Sequence, residues 1–494
     1  MPKKLPIFYS ALLLTGVNLL LRMVGTSFQV YLSGRIGAEG IGPLQLVLSL
    51  GSMAMVAGTA GIRTATMYLT AEEFGKRKEK NITWVLSGSI GYSILCSAFV
   101  ALGIYIYAPF LAEHWIGNIR TLESIRLFAV FLPVSCLSGV MVGYFTGANK
   151  IGTLAAVEVA EQLCTMVCTM VLLSLWAGHD AEKACQAVVL GSGLGACLTL
   201  CCLAVLRLRE RAETGTRISV ANRLAHTAIP LAIADDLRTG ITTVENLMVP
   251  KRLALYPGTI SPLAAFGTVC GMVFPILMFP AAILFGLTEL LIPELARCNA
   301  AGHTKRISHL VQKSLRVGLL YGAACAGILF LAADDLCNTL YQNADAGKYL
   351  RRFAPLAIML YSDAVIDAMI KGLGQQKASV RYNIFTNAMD VAFLYILLPK
   401  YGISGYFISF LVTHVINFGL SIRRLLKISG EKISLHLPML TMTAAAAAVW
   451  GAGFVTQPFF RAAAYLILLI CSLFLLRILT KEDIIWIKGL IRKK

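Results

Sequence analysis

The chain has 494 residues, 57% of them apolar and 14% charged, with a mean hydropathy of +0.72. Soluble domains carry about 25% charged residues, so this chain cannot cover a water-facing surface and reads as a membrane protein. Its formal charge of +18, from 44 Lys and Arg against 26 Asp and Glu, would suggest nucleic acid in a soluble chain; here the position of the cations decides.

Apolar windows of about 20 residues, the length that crosses a hydrocarbon core, predict fourteen spans, at 7–33, 41–70, 82–108, 121–147, 151–177, 184–206, 224–250, 263–292, 309–333, 350–372, 381–399, 402–424, 436–455 and 460–479. The apolar run behind Met1-Pro2-Lys3-Lys4 is too long for a signal peptide and lacks a small-residue cleavage site, so span 1 is expected to stay. The longest connection, 207–223, leaves no room for a soluble domain. The predicted class is an all-α polytopic membrane protein. Its expected organisation is an N-terminal six-helix bundle at 1–206, a cytoplasmic linker at 207–223, a second six-helix bundle at 224–426, and two further helices with a basic tail at 427–494.

With a cytoplasmic N-terminus, and with cations near a span end counted with the connection they adjoin, 30 Lys and Arg fall in the tails and the connections after even-numbered spans and 11 on the other side; Arg22, Arg63 and Arg238 are counted within spans. This asymmetry obeys the positive-inside rule and predicts both termini in the cytoplasm, in the cytoplasmic (inner) membrane. Juxtamembrane cations facing anionic lipid account for the charge, and no nucleic-acid partner is expected.

The 13 cysteines and seven histidines lack zinc-ligand spacing. No phosphate loop or nucleophile motif occurs. Neither a metal nor a catalytic residue is expected, which favours a transporter over a membrane enzyme. Gly147-Ala148-Asn149-Lys150 and Gly374-Gln375-Gln376-Lys377 share the form G-x-x-K, 227 residues apart. Each precedes polar groups three apart, Glu158 and Glu161, then Asn387 and Asp390. Their placement six spans apart suggests two pseudo-symmetric six-helix bundles in parallel topology, a known transporter plan with the substrate site near midplane.

Ionisable groups within spans are the strongest functional pointers, since each costs about 2.5–3.5 kcal/mol at a helix centre unless a cavity or partner receives it. Arg22, one turn after Asn18, is midway along span 1, and Arg63 is in span 2; neither has an acid at pairing distance on its own span. Span 7 carries Asp235, Asp236, Arg238 and Glu245, with Asp235, Arg238 and Glu245 spaced to share a face. Span 10 sets Asp363, Asp367 and Lys371 at intervals of four, and span 8 ends with Glu289 and Glu294. Plainer roles are open: Asp235 with Arg238, and Asp367 with Lys371, as self-neutralising pairs; Glu294 and Lys371 as snorkelling groups; Glu158 and Glu161 as packing between bundles. Arginine offers a fork of donors suited to phosphate, so Arg22, Arg63 and Arg238 favour an anionic cargo. The carboxylates could bind sugar hydroxyls, pair with an arginine, or take a coupling H⁺ or Na⁺; no resident cofactor is expected.

The block Glu245-Asn246-Leu247-Met248-Val249-Pro250-Lys251-Arg252-Leu253, with Gly271-Met272-Val273-Phe274-Pro275 and Leu290-Leu291-Ile292-Pro293-Glu294-Leu295, closely resembles the stage V sporulation protein B family. Arg22-Met23-Val24-Gly25, Gly37-Ala38-Glu39-Gly40-Ile41-Gly42 and Leu397-Leu398-Pro399-Lys400-Tyr401-Gly402 extend it over spans 1 to 12. The resemblance implies an oligosaccharidyl-lipid flippase of the MOP superfamily, related to lipid II flippases and MATE exporters. It would move polyprenyl-pyrophosphate-linked saccharide, such as a peptidoglycan precursor, to the outer leaflet by alternating access. Arg22 matches the family's R-x-x-G arginine; Arg63 and Arg238 rest on placement alone. The family also implies a lipid-tail groove at spans 13 and 14, where the Ala444–Ala448 run permits a groove or close packing. Membrane lipids are expected partners, and cell-wall synthesis enzymes are admissible ones. The alternatives are a cation-coupled multidrug exporter, which needs only twelve helices and acids in its cavity, and a structural membrane partner without transport.

Overall fold

A computed structural model describes residues 7–75, 81–177, 180–210, 221–258, 261–430, 436–476 and 478. In chain order the α-helices are α1 (Ile7–Thr59), α2 (Ile62–Gly75), α3 (Ile82–Phe110), α4 (Leu122–Gly147), α5 (Ile151–Leu172), α6 (Ala181–Arg209), α7 (Ala221–Leu253), α8 (Pro262–Gly267), α9 (Phe274–Met278), α10 (Ala281–Ala300), α11 (Thr304–Leu331), α12 (Ala333–Tyr341), α13 (Ala344–Phe353), α14 (Ala357–Gly372), α15 (Gln376–Tyr401), α16 (Ile403–Ser429), α17 (His436–Ala452) and α18 (Pro458–Leu475). Every expected span holds helix. Nine helical segments among the described residues are long and apolar enough to cross a membrane by length and composition. The protein is an all-α, multi-pass membrane protein. Unpaired backbone groups are costly in hydrocarbon, and a helix satisfies them within one segment.

Some expected boundaries are displaced. Spans 1 and 2 run together through α1, kinked at Gly37 (φ 67°, ψ 179°). Span 2 is broken instead at Ala60 and Gly61, whose φ values are 43° and 70°. A Cβ at Gly61 would stand 2.3 Å from the Ala228 carbonyl oxygen of α7, so the turn requires glycine for close approach as well as conformation. Span 8 comprises α8, a wide turn at Thr268–Val273, α9 and α10.

By internal contacts the chain divides into two compact units, 1–271 with 387–406, and 272–386 with 407–494. In the first unit, Ile62, Leu69, Val85, Val140, Tyr144, Phe145, Leu154 and Leu203 form a core shared by α2 to α6. The outward face of α3 is apolar, with Leu95 72% and Phe99 79% exposed. That is the pattern of a lipid-facing helix, because hydrocarbon exerts no hydrophobic penalty on it. Arg223 at the start of α7 donates to Glu72 and Glu73 of α2, both at 2.8 Å, and Asn81 Nδ2 donates to Glu73 at 2.9 Å.

In the second unit, Ala323 of α11, Ala444, Ala445, Ala448 and Ala452 of α17, and Tyr465, Leu469 and Leu473 of α18 form one core. The Tyr465 hydroxyl donates to the Ala323 carbonyl at 2.7 Å. The small residues of α17 are thus used for close packing, as membrane helices commonly use them.

The repeat has an exact counterpart in the backbone at a different spacing from the G-x-x-K motif. Helix α4 ends at Gly147 and α5 begins at Ile151; α14 ends at Gly372 and α15 begins at Gln376, a spacing of 225. The left-handed residues Asn149 and Gly374 are also 225 apart. A Cβ on Gly147 would meet the Met67 carbonyl oxygen at 2.5 Å, and one on Gly372 the Ile292 carbonyl oxygen at 2.9 Å. Met67 and Ile292 keep the same spacing.

Candidate functional site

In the first unit, the helix that carries Arg22 packs on α5, and Arg63 of α2 acts electrostatically on the same stretch. Arg22 is exposed on α1. A Cβ on Gly25, three residues later, would lie 3.8 Å from Nε2 of Gln162 on α5. Arg63, exposed at the start of α2, acts electrostatically on the Glu158 carboxyl, as does Glu161. Glu161 Oε2 accepts a hydrogen bond from Thr199 Oγ1 at 2.6 Å. Residues 158–162 of α5 therefore lie beside both the Arg22 helix and Arg63. Guanidinium forks beside carboxylates suit a ligand with phosphate and hydroxyl groups.

On α7, Asp235 and Arg238 are exposed. Asp236 lines a cavity of about 600 Å³ whose walls are Ile233, Leu237, Gly240, Ile241 and Val244 of α7 with Ala388 and Val391 of α15. Glu245 faces α15, where its carboxyl interacts with that of buried Asp390. Two carboxyls that face one another disfavour each other's charge, and a proton or small cation between them would relieve the repulsion. Beside them Cys270 and Tyr406 interact with one another and with Glu245.

In the second unit, Asp363 Oδ2 accepts from Asn417 Nδ2 at 2.9 Å, while Asp363 Oδ1 and Asn417 Oδ1 are buried without a hydrogen-bond partner. Asp367 is paired with Lys371 at 2.5 Å and accepts from Ser379 Oγ. The shared face of span 10 is thus split: Asp367 and Lys371 satisfy each other, and Asp363 reaches α16. Glu294 pairs with Arg306 at the start of α11 at 2.5 Å. The side chains of Asn18 and Glu289 lie outside the described residues. Among the described residues, no group of three His, Cys, Asp or Glu is placed to hold a metal ion.

Sequence reasoning did not nominate Gln162, Thr199, Cys270, Tyr406, Ser379 or Asn417. An asparagine midway along an otherwise apolar span was a usable signal for Asn417. The hydroxyls and the thiol carry no signal of their own, since serine, threonine and cysteine are ordinary packing residues in membrane helices.

This architecture has solved counterparts. The inward-facing conformation of a multidrug resistance MATE family transporter of the MOP superfamily matches with a TM-score of 0.68 at 14% identity, covering 85% of this chain and 100% of that one. The lipid II flippase MurJ, in an inward closed conformation, matches with a TM-score of 0.65 at 12% identity, covering 97% of this chain and 100% of that one. The chain therefore has the fold of MOP-superfamily transporters. A model of the MatE family matches residues 254–396. Stage V sporulation protein B of Bacillus subtilis (strain 168) is 23% identical over 409 residues, 80% of this chain and 78% of that protein. The resemblance carried by the blocks around Glu245 and Leu290 thus extends over most of the chain.

Proposed function

We propose that the protein is a flippase that moves a polyprenyl-pyrophosphate-linked saccharide across the cytoplasmic membrane by alternating access, both termini being cytoplasmic. Arg22, Arg63 and Arg238 would bind pyrophosphate, and Glu158, Glu161 and Asp235 would contact saccharide. The supporting observation is that residues 158–162 of α5 lie against the Arg22 helix and within the electrostatic reach of Arg63. The similarity to stage V sporulation protein B favours a role in sporulation, and a cell-wall precursor, such as one for the spore cortex, is the cargo proposed. The test is depletion of the protein with the leaflet distribution of lipid-linked precursor as readout. Accumulation in the inner leaflet is expected. An unchanged distribution with raised drug sensitivity would instead establish the second reading, a cation-coupled multidrug exporter, which the MatE match favours.

A coupling H⁺ or Na⁺ is proposed to bind at Glu245 and Asp390 in the first unit, and Asp363 is proposed as a separate ion contact in the second. Glu245→Gln combined with Asp390→Asn should remove the dependence of transport on the ion gradient while leaving cargo binding. Retention of that dependence would exclude the pair.

A further inference from the structure

The second unit contains a cavity that none of the transport roles above uses. It measures about 660 Å³ and is lined by Phe330, Asp334, Lys348, Arg351, Arg352, Pro355 and Phe407. That volume falls in the range of small-molecule sites, about 300–1,000 Å³.

Its walls follow from the local sequence. Helix α12 stops at Gln342, which is left-handed with φ 53°. Asn343 Oδ1 then caps α13 by accepting from the backbone N–H groups of Asp345 and Ala346, both at 3.0 Å. A Cβ on Gly347 would meet Asp334 Oδ1 at 2.8 Å, so glycine there lets α13 lie close against the start of α12. Helix α13 is two-sided. Ala346, Gly347, Leu350 and Phe353 are buried, while Lys348, Arg351 and Arg352, spaced three and four apart, share the opposite face and are exposed.

The cavity is correspondingly amphipathic. Phe330, Pro355 and Phe407 form its apolar part, with Phe353 packed edge-on against Phe407 at 5.3 Å between ring centroids. The cations form its rim. Arg351 is paired with Asp334 and stands 5.9 Å from the Phe330 ring centroid. Lys348 is paired with Asp345 at 2.9 Å. These cations lie at the start of the candidate span Ala344–Gly372, and cations near a span end are placed to face lipid headgroups.

We propose that this cavity binds the phosphate of an anionic phospholipid, with Lys348, Arg351 and Arg352 around the phosphate and the acyl chain against Phe330 and Phe407. In the proposed orientation the lipid comes from the outer leaflet. The cavity lining sets Lys348, Arg351 and Arg352 beside Asp334, a basic rim that suits the phosphodiester of an anionic lipid.

The test uses the full chain purified in detergent, with lipid retention read by native mass spectrometry after addition of phosphatidylglycerol or phosphatidylcholine. Wild type should retain phosphatidylglycerol about tenfold better, the equivalent of one hydrogen bond to a charged group. Lys348→Gln combined with Arg352→Gln should abolish that preference at unchanged thermal stability. Asp334→Asn, which frees Arg351 from its acid, should raise phosphatidylglycerol retention and so distinguishes a lipid site from a structural ion pair. Equal retention of the two lipids by wild type, a preference that survives in the double variant, or reduced retention in Asp334→Asn would each overturn the proposal. Protection of the same residues by inorganic pyrophosphate but not by phosphatidylglycerol would reassign the site to a pyrophosphate group.

Discussion

An arginine within a membrane span stays charged, because guanidinium does not lose its proton at any physiological pH. Arg22 is exposed on α1 beside α5 rather than packed into the core. Replacing it should therefore cost cargo binding more than folding. Arg22→Ala should lower flipping by at least about tenfold at normal membrane abundance, the loss of one or more charge-assisted contacts. Arg22→Lys should retain part of the activity, since charge survives and the fork does not. Full activity of the alanine variant would mean that Arg22 does not touch cargo. A different residue makes a stability prediction. Burial and nearby Asp334 push the Cys337 thiol from an ordinary 9.0 up to about 12. A group whose pKa is raised on folding stabilises fully below its unfolded value and loses that contribution as pH climbs through the folded one. Cys337 should thus stabilise the fold at neutral pH and progressively less between pH 9.0 and about 12. The difference in Tm between wild type and Cys337→Ala should shrink over that window, and a constant difference would refute the assignment. Sequence reasoning could nominate Glu245, Asp363 and Asp390 from their cost in a membrane. It could not see that Glu245 reaches Asp390 and Asp363 reaches Asn417, because those partners lie on helices far apart in sequence.

At the scale of helices, hydrophobic length placed helix in every expected span, nine of the described segments being long and apolar enough to cross a membrane, but breaks within spans depend on tertiary contacts that composition does not encode. Gly61 is the example: a glycine inside an apolar run reads as a packing residue, yet it ends one helix because α7 needs the space. The repeat shows the same limit. The G-x-x-K match is two residues out of register with the backbone equivalence, because glycine close approach, not the motif, is the shared physical feature. Gly147 and Gly372 permit the carbonyls of Met67 and Ile292 to approach where any Cβ would collide with backbone. Gly147→Ala or Gly372→Ala should therefore destabilise by about 1–3 kcal/mol through forced separation of packed helices. Gly139 lies on α4 with nothing within 4 Å of its added Cβ. Gly139→Ala should be neutral or stabilise by up to about 1 kcal/mol through helix propensity. Thermal unfolding of the three variants in detergent checks this, and equal effects at all three positions would refute close approach as the cause.

For the molecule as a whole, the distribution of charge carries the orientation more directly than the fold does, because a helical bundle can be inserted either way up. Of the 44 Lys and Arg, 30 fall on one side of the expected spans and 11 on the other. Moving basic connections across a bilayer is unfavourable, so the richer side should face the cytoplasm. Many of those cations, including Lys76 to Lys80 and the tail from Arg477, lie outside the described residues. The prediction therefore rests on sequence and must be read from cells. Fluorescent protein fused after Lys494 should fluoresce, and alkaline phosphatase fused there should be inactive. Alkaline phosphatase fused after Gln342, between α12 and α13, should be active, because that turn would be exported. The Lys348, Arg351 and Arg352 cavity would then open at the outer leaflet. Reversed activities at both fusion points would invert the molecule, turn an exporting direction into an importing one, and place that cavity among cytoplasmic-leaflet lipids.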